Sequence, residues 1–155
     1  MKIVSLPPAP SEIVCALGLR DALVGRSHEC DFPPGVEALP ALTRSHIDST
    51  RPGREIDEQV RRAVRDGRPV YELDEARLAE LAPDVVVTQA ACEVCAIGES
   101  QVGDAQRRCA PRATLVSLHP TRLGEVLEDV RTVAGACGVS DAGEAVLQEL
   151  RARLR

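Results

Sequence analysis

Cys92-Glu93-Val94-Cys95 has the clearest chemical spacing in the chain. Two thiolates so placed can grip one soft metal ion, or exchange between dithiol and disulfide. No second C-x-x-C accompanies the pair, so a closed metal site needs donors from another segment. Cys30 and His28 are the nearest candidates by loop position. The predicted metal set is therefore Cys30, Cys92, Cys95 and His28, holding zinc or an Fe–S cluster. The plain alternative is two small, partly buried thiols at a helix start, or thiols that touch a ligand. His28, Glu29 and Asp31 read either as an acid–base set or as a loop whose acids cap local backbone, the commoner use of such residues. His119, before Pro120, reads as a strand-end polar residue. The sequence has no Gly-rich phosphate loop and no nucleophile elbow.

These residues need elements to position them. Ile3 to Leu6 is a short apolar strand ended by Pro7-Pro8, and Ser11 to Leu17 is a helix stopped by Gly18. Ala22 to Gly25 is a second strand. Ser27 to Gly53, with four prolines, is predicted as a functional loop or one hiding short elements. Arg54 to Asp66 is an amphipathic helix, Val70 to Leu73 an extended piece, and Asp74 caps a helix ending near Leu81 before Pro83. Val85-Val86-Val87 is β-branched without polar alternation, the pattern of a strand buried on both faces. Thr114 to Leu118 is a further strand and Arg122 to Cys137 the longest apolar-periodic helix. Asp141 and Glu144 read as a capping box for a last helix.

Alternating strands and helices predict a three-layer α/β/α domain with a mostly parallel sheet of four to five strands, Val85 to Thr88 at its centre. Ligands of such sheets bind beyond the carboxyl ends of the strands. The first two strands lead to Pro7, Pro8 and Ser27 to Asp31; the later two lead to Gln89, Cys92, Glu93, Cys95 and His119. His46 lies in the long loop and can join them. Cys15, Cys109 and Cys137 fall elsewhere.

Composition excludes several functions. Of 155 residues, 44% are hydrophobic and 28% charged, ordinary for a soluble globular protein. No apolar run approaches the ~20 residues of a membrane helix. Phe32 and Tyr71 are the only aromatic residues, and the net charge is -5, so neither base stacking nor phosphate tracking suits a nucleic-acid partner. Six cysteines, several inside periodic segments, suggest reduced thiols. The apolar stretch at Ile3 to Leu6 is too short for a signal peptide, which puts the cytoplasm beside any exported location.

The order of motifs carries a resemblance over nearly the whole chain. Ile3-Val4-Ser5-Leu6-Pro7, then Ser11-Glu12-Ile13 and Ala16-Leu17-Gly18, resembles the start of the periplasmic binding domain of iron-siderophore and cobalamin binding proteins. Leu23-Val24-Gly25-Arg26-Ser27 with Asp31-Phe32-Pro33-Pro34 is similar to that family's second strand and its next turn. Leu81-Ala82-Pro83-Asp84-Val85-Val86-Val87 is similar to its Leu-x-Pro-Asp-Leu-Val strand. The Ser-His-Glu-Cys-Asp and Cys-Glu-Val-Cys segments look like a cobalamin-binding branch. Two departures stand out. Pro8-Ala9-Pro10-Ser11-Glu12 replaces the family's Pro-Ser-Ala-Thr-Glu, and two aromatic residues are too few to cover a corrin ring.

The resemblance implies a non-enzymatic substrate-binding component of an ABC importer, with cobalamin or a related metal chelate as ligand, a permease as partner and the periplasm as location. It covers the family's N-terminal lobe: residues 1–139 as the binding lobe, 140–155 as the start of an inter-lobe helix, and no second lobe. The implied ligand contacts are Pro7, Pro8, His28, Glu29, Cys30, Arg44, His46, Gln89 and His119, with Glu93 docking to permease arginines. A lone lobe leaves its cleft face uncovered, so self-association is expected. The competing reading is a cytosolic thiol-based metal, Fe–S or redox protein built on Cys92 and Cys95 with Cys30 and His28. A third is a lobe that binds nothing tightly.

Overall fold

The computed structural model describes residues 1–89 and 97–154. Four parallel strands form the main sheet: β1 (Ile3–Ser5), β2 (Leu23–Arg26), β5 (Val85–Gln89) and β6 (Thr114–Leu118), in the order β2-β1-β5-β6. The two central strands are the most buried. Val4, Val86 and Val87 are wholly buried, each worth about 1.5–3 kcal/mol relative to exposure. Alternate residues face opposite layers. Ile3, Val85 and Val87 pack with α1 (Pro8–Ala16), α5 (Leu123–Ala136) and α6 (Ser140–Arg153). Val4 and Val86 pack with α3 (Glu75–Leu81) and α4 (Glu99–Cys109). The sheet thus has helices on both faces, as predicted, with Val85 to Thr88 inside it.

The long Ser27–Gly53 stretch hides a strand. β3 (Thr43–Ser45) pairs antiparallel with β4 (Tyr71–Leu73), outside the main sheet, and α2 (Gly53–Arg65) bridges them. Ala41 bridges Arg26 in parallel, so β3 continues in the direction of β2, past its carboxyl end. The β3–β4 pair therefore projects from the edge where parallel sheets hold ligands.

Local signals explain most boundaries. Asp74 accepts the Arg77 backbone N–H at 2.9 Å and caps α3. Glu125 reaches back to the backbone N–H groups of Thr121 and Arg122, which fixes the start of α5. Helix α1 begins three residues before the expected Ser11, because Pro8 and Pro10 sit in the first turn, where a missing N–H costs nothing. The Asp141–Glu144 capping box does not form: α6 starts at Ser140 without a side-chain cap, and Glu144 instead pairs with Arg131 across to α5. Helix α4 was not legible in the sequence; its buried face is made of small or polar residues, Gly103, Ala105 and Gln106, beside Val102.

Candidate functional site

Because the four main strands are parallel, their carboxyl-end loops gather at one edge. Pro7 is buried and Pro8 half-buried after β1, and Gln89 is half-buried at the end of β5. His28 comes two residues after β2 and His119 directly after β6. His46 extends β3, with its backbone N–H donating to the Val70 carbonyl at 2.9 Å. All three histidines of the chain thus lie on or beyond one edge.

Each has a carboxylate beside it. His46 Nε2 is 3.2 Å from Glu72 Oε2, and the same oxygen accepts from Arg44 Nε at 2.9 Å and Nη2 at 2.6 Å. Arg44 and Glu72 are directly opposed across β3 and β4, the geometry in which cross-strand charge pairs form. His119 Nε2 is 3.5 Å from Glu99 Oε1, and His28 Nε2 is 3.9 Å from Glu29 Oε1. Asp48, in the turn after His46, accepts from the Thr50 hydroxyl and backbone N–H, which holds its carboxyl below the ordinary range.

His28 is the most firmly held of the three. Its backbone N–H donates to Thr43 Oγ1 at 2.9 Å, its Nδ1 lies 2.6 Å from the same oxygen, and its ring packs on Tyr71 with centroids 5.6 Å apart. Thr43, Tyr71 and Glu72 are site residues that sequence reasoning missed. Their signal is the β3–β4 pairing, which no turn residue announces.

Cys30 is placed differently from an open ligand contact. It is 1% exposed, packs in the cluster under α1, and lies 3.1 Å from Ser11 Oγ, itself bonded to Ser5 Oγ at 2.9 Å. This sealed set ties the start of α1 to the loop after β2. Cys92, Glu93 and Cys95 lie outside the described residues. Among the described residues, no three His, Cys, Asp or Glu side chains converge as a metal site requires. No helix among them is long and apolar enough to cross a membrane.

A family model described as periplasmic binding protein matches residues 3–155. The chain belongs to the periplasmic binding protein family. No curated relative matches its sequence. Among solved structures it is similar to the periplasmic vitamin B12 binding protein BtuF of Vibrio cholerae, at 18% identity and a TM-score of 0.69, over 99% of this chain and 48% of that one. A periplasmic heme binding protein from Pseudomonas aeruginosa gives 20% identity and a TM-score of 0.69, over 99% and 44%. The siderophore binding protein FhuD from Vibrio cholerae, solved with Fe3+-Desferal, gives 17% and 0.60, over 99% and 48%. At these identities the likeness shows the fold. The chain spans less than half the length of each of these structures.

Proposed function

We propose that this family member is one lobe of a substrate-binding component of an ABC importer, and that it takes cobalamin or a related metal chelate at the carboxyl edge of its sheet. The observation that carries the reading is the gathering of His28, His46 and His119 with Pro8, Gln89 and Arg44 at that edge. The similar structures add to it, since the ligands they are named for or solved with are vitamin B12, heme and Fe3+-Desferal. All three are metal chelates with polar rims, which a polar edge with few aromatic side chains can meet. The chain does no chemistry in this reading; it is a carrier working in the periplasm with a permease.

The direction of α6 supports a two-lobed arrangement. Helices α1 and α5 start at the carboxyl edge, directly after β1 and β6, and run back along the sheet. Helix α6 reverses this: Gly143 near its start lies by Leu17 at the end of α1, whereas Leu150 and Arg153 share a groove with Ala9, Glu12 and Val126. It therefore heads to the ligand edge, as a helix entering a second lobe does. Residues 1–139 are then the lobe and 140–155 the beginning of the connection.

The test is heteronuclear NMR of the chain titrated separately with cobalamin, ferric heme and ferric desferrioxamine. The expected result is ligand-dependent shifts of the His28, His46 and His119 side-chain signals for at least one chelate, with residues near Cys137 unmoved. Shifts confined to other surfaces, or none up to about millimolar ligand, would reject the reading.

A further inference from the structure

The Thr43 hydroxyl and the His28 ring leave little choice in where their protons sit. Thr43 is 6% exposed. Its oxygen already accepts the His28 backbone N–H, at 2.9 Å. A hydroxyl has one proton to give and two lone pairs. If His28 Nδ1 carried the ring proton, Oγ1 would accept twice and its own proton would have no acceptor among the described residues. Leaving a buried donor without an acceptor is unfavourable, because the desolvation of the group is then uncompensated. If the hydroxyl donates to Nδ1, 2.6 Å away, every group in the set is satisfied. The neutral ring then carries its proton on Nε2. The Glu29 carboxylate, 3.9 Å from Nε2, favours a proton there as well.

We infer that Thr43 is a positioning residue that fixes His28 as its Nε2–H tautomer. His28 consequently meets a ligand as a hydrogen-bond donor to an oxygen acceptor, a carboxylate or amide carbonyl on the rim of a chelate. It does not meet the chelated metal through a ring lone pair. Packing on Tyr71, with the two ring planes 41° apart, helps to hold the imidazole in that orientation. The ligand-facing half of this inference rests on the proposed function. The tautomer does not, because it comes from the ligand-free geometry.

This independence sets the experiment. Long-range 1H–15N NMR of the histidine-labelled chain, at mildly alkaline pH where imidazole is neutral, reports which ring nitrogen is protonated. His28→Gln assigns the signal. The expected pattern is a protonated Nε2 and a bare Nδ1, kept in Thr43→Ser and replaced by a tautomer mixture in Thr43→Val. A protonated Nδ1, or a pattern indifferent to Thr43→Val, overturns the inference. The second arm uses aquocobalamin, whose visible bands shift when an imidazole replaces the cobalt-bound water. Binding should leave those bands in place and weaken by up to about tenfold in His28→Ala, the scale of one hydrogen bond. A band shift that depends on His28 overturns the inference. If aquocobalamin does not bind at all, the ligand assignment fails, and the NMR pattern still decides the tautomer.

Discussion

At the scale of single residues, burial decides which side chains are available for chemistry. Cys30 and Cys137 are 1% and 7% exposed, and burial also pushes the Cys137 thiol above its ordinary range. Burial raises Cys15 and Cys109 as well, with the Glu75 carboxylate adding to the effect on Cys109. The thiolate is the reactive form. Iodoacetamide labelling of the native chain, mapped by mass spectrometry, should therefore leave Cys30 and Cys137 unmodified and modify Cys15 and Cys109 slowly, faster as pH rises. Labelling of Cys30 at the rate of a free thiol would show that the Ser5–Ser11–Cys30 set is not sealed.

Asp129 gives the residue scale a pH dependence. Partial burial lifts its carboxyl above the ordinary value; Glu125 adds to this and His119 opposes it. The folded chain then holds that proton more tightly than the unfolded one. By linkage this contribution loses stability as pH rises from the ordinary carboxyl range through the raised value. Glu75, Glu125 and Glu144 have the opposite sign. Hydrogen bonds from Arg108, Thr121 and Arg131 hold them low, so their contribution is present above the ordinary carboxyl range and is lost as pH falls through the lowered values. Asp129→Asn should raise the melting temperature at neutral pH and remove its part of the slope. Equal stability of the two chains in urea across that range would refute the assignment.

At the scale of elements, the close approach of α5 and α6 makes a paired prediction. A Cβ on Gly143 would stand 2.7 Å from the Ala134 Cβ, an atom the backbone holds in place. Gly135, inside α5, has nothing within 4 Å of its would-be Cβ. Both substitutions to alanine gain about 1 kcal/mol of helix propensity. Only Gly143→Ala also forces two packed helices apart, at about 1–3 kcal/mol. Chemical denaturation should show Gly135→Ala stabilised and Gly143→Ala destabilised. If both were stabilised, α5 and α6 would not pack as closely as Gly143 and Ala134 require.

The same elements show what the sequence disclosed. Val85 to Val87 and the Leu123–Ala136 periodicity were legible because burial on both faces, or along one stripe, leaves a direct pattern in residue type. The four-strand sheet and its edge came from those patterns. β3 was hidden in the Ser27–Gly53 stretch, since three residues joined to a partner 28 positions away carry no local signal. With β3 went Thr43, and with β4 the role of Glu72. Strand ends alone placed His28 and His119 at the edge. That rule also put Cys30 there, without revealing that Ser11 turns it inward.

At the scale of the whole molecule, the open edge would limit the affinity of the proposed chelate site. Binding sites commonly bury about 70–90% of a drug-sized ligand. One lobe with its polar groups on one edge can cover one face of a flat chelate, roughly half of that. A nanomolar site is worth about 12 kcal/mol, and each tenfold of affinity about 1.4 kcal/mol. Removing on the order of half the contacts costs several kcal/mol, and the only offset is that no lobe closure has to be driven. The 155-residue chain alone should accordingly bind a corrinoid no tighter than roughly tens of micromolar, if at all, and a chain carrying a second lobe far more tightly. Calorimetry at several protein concentrations decides between the cases. Weak binding independent of concentration fits a half-site. Nanomolar binding, with one ligand per chain or one per dimer, would mean that the lobe or its dimer is already a complete site, and the half-site reading would be wrong.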